Sequence, residues 1–150
     1  MFEYINKCMP KQKRECCNGN REYKIYLDIE KEKDENWKFK CNKPKDFVDN
    51  LKQIKIVTKI NKRASQLRYR LEEGCGKALY MIGVTDGGNT DGIDIDTLFK
   101  SINFLYKMAE IVNAKVKTIK IYKGGVEGKY ICSARIDIPD YTSTQLPNID

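Results

Sequence analysis

The clearest structural signal in the chain is residues 54–84, IKIVTKINKRASQLRYRLEEGCGKALYMIGV. When its first part is placed on a helix at about 100° per residue, apolar and basic side chains fall on opposite sides, which predicts an amphipathic helix over Ile54–Glu73. Gly74 is expected to end that helix, because glycine takes the left-handed conformation most easily. Lys77–Val84 is almost continuously apolar, which predicts a strand buried on both faces. The predicted core side of the helix consists of Ile56, Val57, Ile60, Ala64, Leu67 and Leu71.

Further strands are predicted on both sides of this stretch. Before it, Glu22–Ile29 alternates apolar and polar residues as a half-buried strand does, and Trp37–Cys41 suits a short strand. After it, Asp86–Asn89 supplies residues that tolerate positive φ for a tight reversal, and Gly92-Ile93 is expected to return as a short partner strand. A sheet is therefore expected beside the central helix.

A second helix and a hairpin are predicted in the last third of the chain. Asp94 is a good helix N-cap, and behind it apolar residues recur at steps of four and three until about Asn113. Ala114–Tyr122 and Lys129–Ile138 have the composition of strands, and the glycine-rich residues 123–128 between them are expected to form the turn.

The order of these elements predicts an α+β fold. It suits a two-layer, split β-α-β (ferredoxin-like) sandwich, with a mixed sheet and two helices on one face. A length of 150 residues is typical of a single domain. The expected organisation is a flexible N-terminal arm over residues 1–20, an α+β domain over residues 21–138 and a polar linker over residues 139–150.

Positive charge is concentrated in the first half of the chain. The formal net charge is +7, with 28 basic and 21 acidic side chains and no histidine. Residues 1–73 hold 19 of the basic and 12 of the acidic side chains, whereas residues 74–150 hold nine of each. Clustered cations release counterions from phosphate, so this distribution predicts a polyanionic partner; the alternative is a solvated, lysine-rich face.

Five cations on the predicted helix form the candidate RNA-binding site: Lys55, Lys59, Lys62, Arg63 and Arg70. They lie opposite its apolar side, where they can meet solvent or phosphate. The basic residues 38–45 and four hairpin lysines extend the predicted surface: Lys115, Lys117, Lys120 and Lys123. Tyr69, Tyr122 and Trp37 are interleaved aromatic residues suited to stacking on bases. Double-stranded or ribosomal RNA fits such a surface, because its shape and backbone can be read without contacts to base edges.

No catalytic, cofactor-binding or metal-ligating residue is predicted. The lack of histidine excludes histidine bases and ligands, and the serines have no partnered base. Residues 124–130, GGVEGKY, have three residues between glycines where a phosphate-binding P-loop has four, and a strand follows instead of a helix. The acidic group of Asp86, Asp91, Asp94 and Asp96 leaves a small metal-dependent nuclease as an alternative.

The cysteines and the N-terminus predict a reducing compartment. None of the six cysteines forms a C-x-x-C pair, so free thiols are expected rather than a zinc site or a disulfide framework. The first residues hold no apolar run of signal-peptide length, and the longest apolar stretch, around Ala78–Val84, is too short to span a bilayer. The chain is therefore expected to be cytoplasmic, without a membrane partner.

The central stretch resembles one group of translational GTPases. Leu67–Val84, with Asp86-Gly87 and Gly92-Ile93 after it, is similar to the domain that precedes the GTPase module in the elongation-factor-like GTP-binding proteins one and two. The similarity continues in the second predicted helix, for example at Met108–Glu110, and covers about residues 57–122. Lys77 departs from an acidic preference of the family and makes the local surface more basic.

The resemblance implies a parent protein that binds and hydrolyses GTP with Mg²⁺, has a core like that of elongation factor Tu, and acts on ribosomes, aminoacyl-tRNA or RNA turnover. This chain would be its non-catalytic N-terminal accessory domain, contacting RNA, tRNA or the ribosome. The first GTPase strand and P-loop would follow Asp150, so no nucleotide-binding residue is carried over. The alternative is a protein-interaction or regulatory module that docks on its own GTPase domain.

Overall fold

The computed structural model describes residues 2–27, 45–142 and 146–149. For residues 45–53 and 55 it describes the backbone alone. The predicted strand Trp37–Cys41 and the basic residues 38–44 lie outside the described residues, as does the end of the predicted strand Glu22–Ile29.

The described part of the chain contains five strands and two helices. In chain order they are β1 (Phe2–Cys8), β2 (Arg21–Lys24), α1 (Lys45–Glu73), β3 (Lys77–Ile82), α2 (Ile95–Ile111), β4 (Lys115–Lys123) and β5 (Tyr130–Asp137). The second helix, the central strand and the final hairpin agree with the elements predicted from the sequence, whereas α1 begins at Lys45, nine residues before the predicted start at Ile54.

The strands form one mixed sheet in the order β1-β4-β5-β3-β2. β1 is parallel to β4 and β2 is parallel to β3, whereas β3 and β4 are both antiparallel to β5. Both helices pack on the same face, since residues from α1, α2 and the three central strands share one core cluster. The predicted α+β, split β-α-β sandwich with both helices on one face of a mixed sheet is confirmed.

The main core lies between the helices and the sheet. Alternate residues of the central strands point into it, and Tyr80, Ile119 and Ile136 are each at most 1% exposed. Burial of apolar side chains of this size stabilises a fold by roughly 2 kcal/mol each. The helices contribute Ala64, Leu67 and Leu71 from α1, and Leu98, Ile102, Leu105, Met108 and Ala109 from α2.

The buried side of α1 agrees with the prediction only over its C-terminal half. Ile60 packs against the core, and the residues after it on the same side are buried. Val57 is 53% exposed, so the prediction that it faces the core is wrong. Ile54, at the predicted start of the helix, is also exposed.

Gly74 follows α1 for a different reason from the predicted one. Positive φ angles occur at Cys75 (51°) and Gly76 (89°) and not at Gly74. The left-handed conformation predicted for Gly74 is therefore wrong, since it occurs at the next two residues. A Cβ at position 74 would lie 1.8 Å from the carbonyl oxygen of Lys77 and 2.6 Å from the Cβ of Asn20. Glycine is needed here because other backbone passes too close for any side chain.

The predicted flexible arm over residues 1–20 is wrong where the structure describes it. β1 is an edge strand of the sheet, and the segment after it is bonded to the loop that follows β3. The N–H groups of Gln12 and Glu15 donate to the carbonyl oxygens of Gly88 and Asp86, at 2.9 and 2.7 Å. These bonds join residues that are far apart in sequence, which local periodicity does not reveal.

A smaller apolar cluster lies on the opposite face of the sheet. Alternation along the strands sends Met81 and Ile131 to this face, while their neighbours point to the helices. The segment after β1 covers one end of the face with Met9. The cluster consists of Met9, Tyr23, Met81, Val84 and Ile131, with Leu79 and Tyr122 packed against it.

Two segments of the second half differ from their predicted form. Gly92-Ile93 is not a partner strand, because Ile93 makes only an isolated bridge to Tyr130. Within the predicted linker, Leu146 is buried and the carbonyl oxygen of Pro147 accepts a hydrogen bond from Arg68 Nε at 2.8 Å. Residues 146–149 therefore pack on the domain, and a linker to a further domain stays a prediction.

Candidate nucleic-acid interface

Three of the five predicted RNA-binding cations lie together on the surface of α1. Lys62 is exposed, and Lys59 and Arg63 are half buried. Their spacing of three and four residues places them on one side of the helix, on neighbouring turns. The side chain of Lys55 lies outside the described residues.

Arg70 is not part of that surface, and its assignment to the RNA-binding site is wrong. It is 3% exposed, and its Nε donates to Glu22 Oε2 at 2.6 Å. Its other N–H groups donate to the carbonyl oxygens of Cys16, Asn18 and Gly19 at 3.2, 3.2 and 2.9 Å. Helical periodicity puts position 70 near the basic side, but the segment before β2 folds over this turn and encloses the guanidinium.

Acidic groups accompany Arg70 in this buried region. Burial opposes the charge of Arg70, but the hydrogen bond and the negative charge of Glu22 raise its pKa. Burial also raises the pKa of Glu15, whose carboxylate accepts the N–H of Tyr23. The positive charge that the sequence assigned to position 70 is therefore compensated inside the fold.

A shallow groove of about 630 Å³ lies beside Lys62. The hydroxyl of Tyr69 donates to the carbonyl oxygen of Cys17 at 2.9 Å, and the Cζ of Arg70 lies 5.5 Å from the centre of the Tyr69 ring. These contacts fix the ring and leave Tyr69 40% exposed, so part of it can still meet a ligand. The groove is lined by Lys62, Ser65, Gln66, Tyr69, Arg70, Glu15, Cys17 and Glu22.

The predicted hairpin residues do not simply extend the α1 surface. Ile119 and Ile121 of β4 point to the helices, so Lys120 and Tyr122 point to the opposite face of the sheet. Trp37 lies outside the described residues. The sheet therefore separates Lys120 and Tyr122 from α1, so the prediction that these two residues extend the basic surface of the helix is wrong.

Two further cations lie on that opposite face: Arg21, which sequence reasoning missed, and Lys77, which it noted as basic without placing it. Arg21 pairs with Leu79 in the sheet, and Lys77 precedes Leu79 by two residues, so all three share a face. Both cations are exposed. The alternation around Tyr23 contained the signal for Arg21, but it could not show which face of the sheet the helices cover.

One of the aspartates near α2, Asp94, has a structural role as the helix cap. The carboxylate of Asp94 accepts the N–H of Thr97 at 3.0 Å and its hydroxyl at 2.8 Å, which confirms the predicted N-cap. Within the described ranges, no three cysteine, aspartate or glutamate side chains are grouped as metal ligands. The described residues therefore give no metal-ligand cluster that would support the nuclease alternative.

The glycine-rich segment between β4 and β5 is a hairpin, as predicted, and it does not fit a nucleotide phosphate. A phosphate loop needs backbone N–H groups that point at the ligand. Here the N–H groups of Gly124 and Gly125 donate to the carbonyl oxygens of Lys129 and Thr90, both at 2.8 Å. This hairpin is therefore not a phosphate loop for the GTP and Mg²⁺ that the family resemblance implies for a parent protein.

The described cysteines are free thiols, as expected. Burial raises the pKa of Cys132 to about 12, and the other four are exposed: Cys8, Cys16, Cys17 and Cys75. The described stretches include no helix that is both long enough and apolar enough to cross a membrane.

Comparison with known proteins links the chain to a GTP-binding protein. GTP-binding protein 2 of Mus musculus and GTP-binding protein 2 of Homo sapiens are each 38% identical to it over 56 residues. The matched segment is 37% of this chain and 9% of either relative, so the chain corresponds to a small part of their length. No protein-family model and no solved structure matches the chain.

Proposed function

We propose that this chain is a non-catalytic accessory domain of a GTP-binding protein related to translation elongation factors, and that it contacts RNA, tRNA or the ribosome in the cytoplasm. The similarity to GTP-binding protein 2 carries the link to GTP-binding proteins. The GTPase domain of the parent protein, which would bind GTP and Mg²⁺, lies outside this chain in the proposal.

The proposed RNA contact rests on the cations of α1. Lys59, Lys62 and Arg63 lie on one side of a rigid helix, next to the open groove at Lys62. Cations held at helical spacing can bind successive backbone phosphates without reading bases, which suits a structured RNA. Arg70 and Glu22 hold the segment beside them in place and do not contact the ligand.

A second candidate function is supported by an exposed aromatic patch at the β1 edge. The rings of Phe2 and Phe99 lie 6.2 Å apart, which joins the edge strand to α2. Exposed apolar groups of this kind often mark protein contacts. The patch, which contains Phe2, Tyr4, Phe99 and Tyr106, with 55%, 52%, 44% and 50% exposure, suits docking on the parent's own GTPase domain.

The RNA proposal is tested by measuring binding to labelled tRNA and ribosomal RNA over a salt series. Replacing Lys59, Lys62 and Arg63 together by Gln should reduce the slope of log affinity against log salt by about 2 to 3, because each lost phosphate contact removes roughly 0.7 to 0.9. A matched control replaces Lys7, Lys100 and Lys107 by Gln, with the same loss of charge. Equal effects of the two triple variants, or no effect of either, would contradict the assignment to α1.

A further inference from the structure

The sheet face opposite the helices is largely open in the described part of the chain. Beyond the end covered by Met9, its side chains are exposed or half buried apart from Asp137, whereas those of the helix-facing side are mostly buried. Register places Arg135 of β5, Leu79 of β3 and Arg21 of β2 side by side across this face. Since neighbouring strands are about 4.8 Å apart, the two arginines begin roughly 10 Å from each other.

Three cations of this open face have no partner in the described part of the chain. The side chains of Arg21, Lys77 and Lys120 make no hydrogen bond or ion pair with another described residue. On α1, by contrast, Arg68 and Arg70 are both held in ion pairs. Part of the positive charge on α1 is therefore neutralised by ion pairs. The three sheet cations, by contrast, have no such neutralising contact among the described residues.

The open face keeps a positive balance after its acidic groups are included. Asp137 is bound by Arg135 at 2.9 Å and is only 9% exposed. Glu3, on the edge strand, lies beside Lys120 in the sheet register and is exposed. The three unpartnered cations outnumber this remaining carboxylate, so the face favours an anionic partner.

A cleft of about 220 Å³ opens on the same face. Tyr122 and Arg21 both line it, and Leu79 and Met81 supply apolar atoms between them. The segment after β1 forms a wall with Met9, Pro10 and Gln12, and Ser133 completes the lining. The cleft therefore combines an aromatic ring, apolar atoms and a cation in a space that is too small for a duplex.

We propose that the open sheet face binds single-stranded RNA. One base stacks on Tyr122 in the cleft, and backbone phosphates on either side of it are bound by Arg21 and Lys120, with Lys77 extending the path. Aromatic stacking together with a cationic track is the usual way in which proteins bind single strands. The inference rests on the proposed function for the class of partner, and it assigns a second surface and a different RNA structure from those assigned to α1.

The experiment uses the full chain and a labelled single-stranded RNA of roughly 12 nucleotides, within the usual range of such sites. The same strand in a duplex serves as the second probe. Tyr122→Leu should weaken single-strand binding about tenfold, whereas Tyr122→Phe, which keeps the ring, should stay within about twofold. Replacing Arg21 and Lys120 together by Gln should make the salt slope shallower by about 1.4, or roughly 0.7 for each lost phosphate contact. Thermal melting of each variant checks folding.

Several results would overturn the proposal. The first is that the unchanged chain does not bind the single strand. The second is that Tyr122→Leu and Tyr122→Phe weaken binding equally. The third is that the sheet double variant and a Lys100→Gln/Lys107→Gln control change the salt slope equally. Loss of binding to both probes only in the α1 triple variant would also overturn it, while leaving the proposed function in place. Loss of single-strand binding only in the sheet variants would support it, even if the α1 assignment failed.

Discussion

At the scale of single residues, Arg70 joins α1 to the segment that precedes β2. Its ion pair with Glu22 is buried, and its bonds to three backbone carbonyl groups are partly buried. A surface ion pair contributes little to stability, but a buried one is costly to break, because its partner is left without compensation. Arg70 is thus a structural residue, although its position in the sequence is typical of an RNA-binding one.

Replacing Arg70 by Met tests this role. The variant should lower the free energy of unfolding by about 3 kcal/mol, because the Glu22 carboxylate loses its nearer partner and keeps only Lys24, at 3.5 Å, while the hydrophobic volume is roughly kept. Lys62→Met, on the exposed side of the same helix, should change it by less than about 0.5 kcal/mol. Urea unfolding followed by circular dichroism measures both. Equal stability of the two variants would contradict the buried ion pair.

The raised pKa of Glu15 predicts that the stability of the fold depends on pH. Burial raises its pKa above the ordinary value of 4.5, so the folded state holds its proton more strongly than the unfolded state does. This contribution favours the folded state at acidic pH and is lost as the pH rises from about 4.5 through the raised pKa. Glu15→Gln keeps an oxygen that can accept the Tyr23 N–H but removes the titration.

The melting temperature of Glu15→Gln should therefore improve relative to the unchanged chain as the pH is raised from 4 to about 7. Glu127→Gln, on the exposed hairpin turn, provides a control with the same loss of charge. Parallel pH profiles for Glu15→Gln and the unchanged chain would show that Glu15 does not carry this dependence.

At the scale of elements, the connection from α1 to β3 depends on close backbone packing at Gly74. Gly74→Ala should destabilise the fold by about 1 to 3 kcal/mol, because the added Cβ meets the carbonyl oxygen of Lys77 and the backbone must move. Gly87→Ala is the matched control, since the nearest atom to its added Cβ is 3.9 Å away. Thermal unfolding compares the two variants. A melting temperature of Gly74→Ala equal to that of the unchanged chain would contradict the close packing at Gly74.

The elements with strong local periodicity could be predicted from the sequence. The C-terminal half of α1, β3, α2 with its Asp94 cap and the final hairpin each have a pattern that their own residues define. β1 could not be found in this way, because its pairing partner, β4, lies more than 100 residues later. The same is true of residues 146–149, whose packing on the domain depends on a tertiary contact with Arg68.

The candidate site was harder to predict than the fold. Helical spacing correctly brought Lys59, Lys62 and Arg63 together, because that relation is local. Whether a side chain on the helix is exposed depends on which other segments pack over it. Arg70 is buried because the segment before β2 covers it. Which face of the sheet receives Lys120 and Tyr122 relative to the helices likewise depends on the three-dimensional arrangement of all the elements.

At the scale of the whole molecule, the proposed accessory role predicts that this chain does not bind GTP on its own. The hairpin N–H groups of Gly124 and Gly125 are already bonded within the fold, so they are not available to phosphate. Isothermal titration with GTP and Mg²⁺ should show no heat of binding at millimolar nucleotide. Saturable binding with a stoichiometry near one would contradict the accessory role.

In the proposal, RNA binds the protein on two separate surfaces, one on α1 and one on the open face of the sheet. Both surfaces present lysine and arginine side chains, but the sheet lies between them. Within the described residues, Lys120 and Tyr122 therefore do not continue the basic surface of α1.

Ultraviolet crosslinking of bound RNA, followed by mass spectrometry of the crosslinked peptides, locates both surfaces in one experiment. We expect crosslinks to α1 around Lys59–Arg63 with structured RNA, and to the β4 peptide that contains Tyr122 with single-stranded RNA. Crosslinks confined to α2 or to the glycine-rich hairpin, or no crosslinks with either RNA, would contradict it.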